Sequence, residues 1–477
     1  MNDALKKIIS EGKDIALNSQ EVKEGSIFLA ILGLEFDGRD YIEDAIKKGA
    51  SAVIYEAKNY NKNKLWNVPS LGILNLNQKI EEIAESFFQN PSQSLSVIGV
   101  TGTNGKTSVV GWLHQCLSSL NLPAGSIGTL GSGKDILEKT LNTTPDIIAL
   151  NRILNDFKKK GIKYAAMEVS SHAIKQNRIA NIVFDIKILT NVTRDHLDYH
   201  KTLYDYQKTK KQFFTKDECK NFILNVDDHI GRELLTEIDW SGKNLTTYAL
   251  NNQADLRAQN IVYKDRKMMF SLIYKDKAYN LTTNVFGKHN VYNLLSVTAC
   301  LVHYQFSIDR IIKSIESLKC IPGRNEIIQV NKEGWPKVIL DYAHTPDALE
   351  NILQSLRSIS DKEIILLFGC GGNRDKGKRR KMALVANKYA DKVIVTTDNP
   401  RHEDPLGIIN DITKHITISR VVVECREQAI KTAIAMMEDN SILLIAGKGH
   451  EEHQDVKGIK YPFSDKKIAL FELGEVI

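Results

Sequence analysis

The stretch richest in chemistry is Gly102-Thr103-Asn104-Gly105-Lys106-Thr107. Glycines let backbone N–H groups turn inward on an anion, and a following helix N-terminus adds positive field. A lysine there reaches the outer phosphates of a nucleotide, and the adjacent hydroxyl suits a magnesium ion. Val97, Ile98 and Val100 read as a short buried strand before the loop, and SVVGWLHQCLSSL after it reads as a helix. Strand, loop and helix together are the context a phosphate loop requires. The spacing is unusual, because Val100 stands where the first glycine normally lies. A second stretch, GTLGSGKD (Gly128–Asp135), has the better spacing. It ends in Asp135 where a hydroxyl belongs and lacks a strong strand before it, so it is expected not to bind phosphate.

Two further strand ends carry acids and histidines. KYAAMEVSSHA ends in Glu168, Ser170, Ser171 and His172, and FDIKILTNVTRDHLDYH in Asn191, Arg194, Asp195, His196 and Asp198. Ligands of open parallel sheets bind beyond the carboxyl ends of the strands. Asp and Ser there also cap helices, but Glu168 and His196 beside a phosphate loop suit magnesium that keeps phosphate and water in its shell. Further on, Leu203, Tyr206, Lys210 and Phe213 share one helix face. A lysine on an apolar stripe is pushed toward the neutral amine, which can react with CO₂ to a carbamate. Spacing alone favours the plainer snorkelling lysine. Asn290 and Asn293 open another helix, where amides recognise a base or cap the turn.

The C-terminal strands also end in polar loops: Asp341 and His344, Arg374 and Asp375, Asn399 and Arg401, Gly447 and Glu451. Two arginines and an asparagine at one crevice suit a ligand with carboxylates. The run Lys378-Arg379-Arg380-Lys381 has no interleaved aromatics, so a solvated helix face is expected rather than a nucleic-acid patch.

These loops need α/β layers to position them. Strand-like and helix-like runs alternate throughout, and 477 residues suffice for about three domains of ~150 residues each. The boundaries fall at 1–92, 93–322 and 323–477, with Gln89–Ser92 as a linker and Ile321–Arg324 as a hinge. The expected class is α/β, with a mostly parallel sheet in a central P-loop-type ATPase domain and a C-terminal Rossmann-like domain. Hydrophobic residues make up 42% and charged residues 26%, as in soluble globular chains. No run approaches the roughly 20 apolar residues of a membrane span, and the N-terminus lacks a signal-peptide core. The six cysteines form no CxxC pair, which argues for a reducing cytoplasm. The net charge of +6 is mild for this length.

GTNGKT, MEVSSHA, TNVTRDHLDYH with Lys210 beyond it, FGKHNVYN, PGRNE, DYAHTPD, GCGGNRDKGKR, DNPR and AGKGHE occur in this order. In that order the chain resembles the Mur ligase family, and within it the enzymes that add meso-diaminopimelate to UDP-N-acetylmuramoyl-L-Ala-D-Glu. The resemblance spans nearly the whole chain and is weakest in the first ninety residues. It implies an N-terminal domain for the UDP substrate, a central domain for ATP and a C-terminal domain for the amino acid. Gly102, Thr103, Asn104, Gly105, Lys106, Thr107, Asn290, Asn293, Arg324 and Asp341 would contact ATP. Thr107, Glu168, His196 and Lys210 (as a CO₂-derived carbamate, which reverses the plainer reading) would hold Mg²⁺. Ser19, Thr143, Thr144, Ser170, Gln176 and Arg178 would hold the UDP-muramoyl dipeptide. At Ser19 the chain reads Asn18-Ser19-Gln20, where the family often shows Asp-Ser-Arg. Arg374, Asp398, Asn399, Pro400, Arg401, Gly447 and Glu451 would take diaminopimelate, and Lys106, Lys210 and His344 would be catalytic. An Arg401 left unpaired by lysine would discriminate by ~10⁴-fold, as other polar-group readers do. The implied enzyme is a cytoplasmic monomer acting on small molecules, with no nucleic-acid partner and no membrane span, in peptidoglycan precursor synthesis. The Thr143-Thr144-Pro145-Asp146 and DNPR stretches argue against a ligase of folylpolyglutamate-synthase type.

Overall fold

Runs of β-branched and aliphatic residues set the layers of the protein. The computed structural model describes residues 3–33, 36–60, 65–215, 219–264, 267–330 and 336–474. The chain divides into two compact units, residues 1–98 with 123–185, and residues 99–122 with 186–477.

In the first unit, strands Asp14–Ala16, Ser26–Ala30, Ala52–Glu56 and Ser70–Ile73 pair in that order, all parallel. Parallel strands are covered on both faces, so Ser26–Ala30 is buried at every position. The same unit holds strands Ala124–Gly128 and Tyr164–Val169, paired in parallel, and helix Ile147–Lys159. GTLGSGKD runs from one strand into another rather than into a helix. Contrary to the sequence reading, a fully buried strand, Ala124–Gly128, precedes it, and that strand turns into an antiparallel partner, Gly131–Gly133.

In the second unit, Ile186–Leu189, Asn221–Asn225 and Asn244–Ala249 are parallel. The meander Leu256–Lys264, Lys267–Tyr274, Lys277–Thr283 continues antiparallel. The C-terminal sheet runs Glu326–Val330, Pro336–Asp341, Ser441–Ala446, Glu363–Phe368, Lys392–Val395, Ser419–Val422, and only the first strand is antiparallel. Its period of two splits the core into two faces. Ile364, Leu366 and Phe368 pack under helices Pro346–Ile359, Gly377–Tyr389 and Pro405–Thr413, while Ile365 and Leu367 pack under Arg426–Ala435 and Asp465–Glu472.

One charge pair lies wholly inside that second face. Arg426 donates Nε to Asp465 Oδ1 at 2.8 Å and Nη2 to Oδ2 at 2.7 Å, with both side chains fully buried. Arg426 also donates to the carbonyls of Ala446 and Thr397. Removing one partner strands a buried charge, so Asp465→Ala is expected to cost roughly 3–5 kcal/mol of stability, measured by urea unfolding.

The Lys378–Lys381 run is not a solvated face. Lys378 and Arg379 are buried, and only Arg380 and Lys381 face solvent. Arg379 donates to Glu403 at 2.7 and 2.8 Å and to Asp411 at 3.0 Å. Those hydrogen bonds outweigh burial and hold the Glu403 carboxyl down at about 2.

Candidate active site

The loop Gly102–Thr107 takes its shape from its neighbours in the second unit. Gly102 and Gly105 have φ of +152° and +88°, conformations that glycine adopts without steric cost. A Cβ on Gly102 would overlap Thr190 Oγ1, and one on Gly105 would overlap Asn293 Oδ1. Asn104 and Asn191 exchange hydrogen bonds, Asn104 N to Asn191 Oδ1 at 3.0 Å and Asn191 Nδ2 to Asn104 O at 3.1 Å. Lys106 opens helix Lys106–Ser119 and donates to the carbonyls of Gly102 and Thr103, both at 2.8 Å. The ammonium is thereby fixed over the loop. Thr107 Oγ1 accepts from Arg324 Nη2 at 3.0 Å.

Lys210 is buried at 1% exposure, and its Nζ donates to Gly102 O at 2.8 Å and to Thr101 Oγ1 at 3.2 Å. The stripe expected around it holds for Tyr206 and Phe213 but not for Leu203, which is 40% exposed. Leu203 is the first residue of its helix, Leu203–Thr215, where the buried face has not yet begun.

A cleft of about 590 Å³ opens beside the loop, lined by Asn104, Gly105, Asn290, Asn293, Arg324 and Asp341. Burial raises the Asp341 carboxyl, which accepts the N–H groups of Asn325 and Ala343 at 2.7 Å each. His289, Asn325 and Tyr342 are among the lining residues that the sequence reading did not single out. Asn325 Nδ2 donates to Phe286 O at 2.9 Å and faces His289 Nε2 at 3.1 Å. The imidazole Nε2 is therefore the acceptor and Nδ1 carries the proton. Burial pulls His289 down to about 4, so it is neutral. His289 Nδ1 and Asn325 Oδ1 are a buried donor and a buried acceptor with no hydrogen-bond partner among the described residues.

Tyr342 also lines a second cleft of about 580 Å³, with His344, Arg374, Asp398, Asn399, Arg401 and Glu451. Asp195 and His196 form its other wall. Asp195 Oδ2 stands 3.3 Å from His196 Nε2 and 3.8 Å from His344 Nε2. Burial alone would raise the Asp195 carboxyl, but His196, through its ring and its backbone N–H, and Lys378 hold it well below the usual range. Burial, then Lys378, lowers His344. Its Nδ1 meets the Tyr342 carbonyl at 2.9 Å. That contact places the proton on Nδ1 and leaves Nε2 a lone pair beside Asp195.

Lys448 was missed as well, although it sits inside the quoted AGKGHE motif. It is fully buried and donates to Asn399 Oδ1 at 2.8 Å and Glu451 Oε2 at 3.1 Å. Among the described residues Asp398 Oδ1 is buried without a hydrogen-bond partner, 3.7 Å from that ammonium. Arg401 has φ of +51°, and its Nη1 donates to Gly372 O at 2.9 Å. Asp455 Oδ2 lies 3.8 Å from its Nε.

In the first unit the expected UDP-substrate residues come together, apart from Ser19. Arg178 donates to Gln176 Oε1 at 2.9 and 2.6 Å and to Thr144 O at 2.9 Å. Thr144 Oγ1 donates to Glu168 O at 2.8 Å and accepts from Ser170 N at 3.0 Å. Thr143 Oγ1 lies 3.1 Å from Thr129 Oγ1. Glu168 Oε1 accepts from Thr129 N at 2.8 Å. Ser19 is buried in a turn of the four-stranded sheet, where Asn18 Oδ1 accepts from Gln20 N as an aspartate would.

Known families match along the chain in three pieces: the Mur ligase family catalytic domain at 13–88, the Mur ligase middle domain at 100–301 and the Mur ligase glutamate ligase domain at 323–449. The chain belongs to the Mur ligase family. It is 40% identical over 463 residues to UDP-N-acetylmuramoyl-L-alanyl-D-glutamate--2,6-diaminopimelate ligase of Pseudomonas putida, covering 95% of this chain and 93% of that one. It is also 40% identical over 484 residues to the enzyme of the same name from Aquifex aeolicus, covering 98% and 95%. A solved structure of a ligase of that name superposes with a TM-score of 0.65 at 30% identity, covering 97% of this chain and 95% of the other. The MurF ligase of Thermotoga maritima in complex with ADP shares the fold, with a TM-score of 0.69 at 19% identity, covering 94% and 95%. The three-domain α/β architecture of the Mur ligases is therefore that of this chain. Among the described residues no helix is long and apolar enough to cross a membrane.

Proposed function

We propose that this protein is an ATP-dependent, ADP-forming ligase that adds meso-diaminopimelate to the D-Glu of UDP-N-acetylmuramoyl-L-Ala-D-Glu, a step of peptidoglycan precursor synthesis. The observation that carries the reading is one wall, Tyr342, shared by a cleft beside a phosphate loop and a cleft lined by arginines and carboxylates. The relatives' names point the same way.

The γ-carboxylate of D-Glu attacks the γ-phosphorus of ATP, giving an acyl phosphate and ADP. Such transfer needs positioning and charge neutralisation more than covalent help. Lys106 and the helix it opens neutralise the phosphates, with Arg324 beside Thr107. His289 Nδ1–H and Asn325 Oδ1 match a base edge that sets a ring nitrogen beside an amine. The Asp341 carboxylate, with Asn290 and Asn293, completes the nucleotide contacts.

Among the described residues no three His, Cys, Asp or Glu side chains form a metal cage. A few ligands, with phosphate and water for the rest, are what Mg²⁺ accepts. Thr107 and His196 would hold it, with Glu168 and a Lys210 carbamate as further ligands on the family resemblance. Bound there, the ion supplies charge neutralisation at the phosphates. The burial of Lys210 against the loop is compatible with a carbamate.

In the second cleft, Arg401 and Arg374 take substrate carboxylates, and Asp398 Oδ1 and Glu451 take an ammonium. Pro400 and Gly447 shape the floor. His344 Nε2 accepts a proton as the amine attacks the acyl carbon and phosphate leaves, and Asp195 stabilises the imidazolium that results. Thr143, Thr144, Ser170, Gln176 and Arg178 hold the UDP-muramoyl peptide, and Ser19 lies toward its uracil end. The domains follow as 1–92, 93–322 and 323–477, in a cytoplasmic monomer.

Purified protein with ATP, Mg²⁺ and UDP-N-acetylmuramoyl-L-Ala-D-Glu is expected to release ADP with meso-diaminopimelate and far more slowly with L-lysine. Equal release with lysine overturns the amino-acid assignment. No release with either overturns the ligase reading.

A further inference from the structure

The segment Arg194-Asp195-His196-Leu197-Asp198 carries two charged groups that the chemistry above does not use. Arg194 donates Nε to Asp375 Oδ2 at 2.8 Å and Nη2 to Asp375 Oδ1 at 3.0 Å. Asp198 Oδ2 accepts from Arg374 Nη1 at 3.0 Å. The signs are crossed, with cation on anion at one residue and anion on cation at the next. Asp375 also accepts from Gly377 N at 2.9 Å. A Cβ on Gly377 would stand 2.7 Å from Arg194 Nη2, so the missing side chain leaves room for the guanidinium.

Arg374 follows from this geometry. Its neighbour Asp375 is anchored by Arg194 and by the start of helix Gly377–Tyr389. Among the described residues its own guanidinium is held by one carboxylate oxygen, Asp198 Oδ2, through one nitrogen. A guanidinium has five N–H donors, so a single-point tether orients the group without consuming its capacity for a substrate carboxylate. A long side chain ordered in advance loses less freedom when the ligand arrives.

We propose that Arg194 and Asp198 are positioning residues for the amino-acid substrate, acting as a crossed ion-pair clasp that holds Arg374 toward the second cleft. The inference rests on the ligase reading.

The test is a double-mutant cycle on the full-length protein. Arg194→Leu, Asp375→Asn and the double variant are compared, with Asp198→Asn beside them. KM for diaminopimelate, KM for ATP and melting temperature are measured for each. Each single change is expected to raise KM for diaminopimelate about tenfold, with KM for ATP within about twofold. The double variant is expected to be no worse than the poorer single, because both remove one contact. Three results would overturn the inference: singles with unchanged KM, a double whose losses multiply to about a hundredfold, or parallel movement of both KM values with a falling melting temperature. Wild-type protein that releases no ADP with diaminopimelate overturns the ligase reading, and the inference with it. An active wild type with unmoved variants overturns the inference alone.

Discussion

Lys106→Met is expected to lower kcat for ADP release by roughly 10³-fold, about the loss seen when a preorganised charge-stabilising donor is removed. The side chain is fixed by two loop carbonyls, Gly102 and Thr103, at 2.8 Å. Its charge is therefore in place before the transferring phosphoryl group arrives and needs no reorganisation at the moment of reaction. Lys106→Arg should recover little of the rate, because a planar guanidinium does not replace a compact ammonium in so tight a loop. Steady-state kinetics at saturating ATP check this. A variant with kcat within about tenfold of wild type would remove Lys106 from the phosphate site.

Arg401→Ala is expected to lower kcat/KM for diaminopimelate by roughly 10³-fold. Two charge-assisted hydrogen bonds to a substrate carboxylate are worth about 2 kcal/mol each. The guanidinium is already ordered: Gly372 O accepts from Nη1 at 2.9 Å, and a Cβ on Gly371 would stand 2.8 Å from that nitrogen. The same contacts revise the discrimination expected from sequence. Arg401 keeps the Gly372 carbonyl and the nearby Asp455 when lysine is bound, so it is never wholly unpaired. Discrimination against lysine is then roughly 10²–10³-fold rather than ~10⁴-fold. Kinetics with both amino acids measure it directly, and near-normal use of diaminopimelate by the variant would take Arg401 out of the substrate site.

The strand, glycine loop and helix around Lys106 were legible because their determinants are adjacent: an apolar strand, two glycines, Lys106, Thr107 and a helix. Burial of Lys210 was legible from helical spacing, while Leu203 at the helix start escaped that stripe. Residues whose partners lie far off in sequence were not legible. Lys378 and Arg379 looked solvated because the acids that satisfy Arg379, Glu403 and Asp411, come 24 and 32 residues later. Lys448 gave no signal beyond its motif, since its burial depends on Asn399, 49 residues before it. The clasp of Arg194 on Asp375 joins residues 181 apart. The strand before GTLGSGKD was hidden by its own composition, Ala124-Gly125-Ser126-Ile127-Gly128, which carries little β-propensity and is made a strand by burial between neighbours.

Activation of the carboxylate by ATP is decided by the fate of one oxygen atom. With ¹⁸O in the γ-carboxylate of D-Glu in UDP-N-acetylmuramoyl-L-Ala-D-Glu, an acyl phosphate must pass one labelled oxygen to the phosphate released as diaminopimelate is joined. Mass spectrometry of that phosphate should find one ¹⁸O per amide formed. Unlabelled phosphate accompanying the tripeptide product would contradict activation of the carboxylate by ATP.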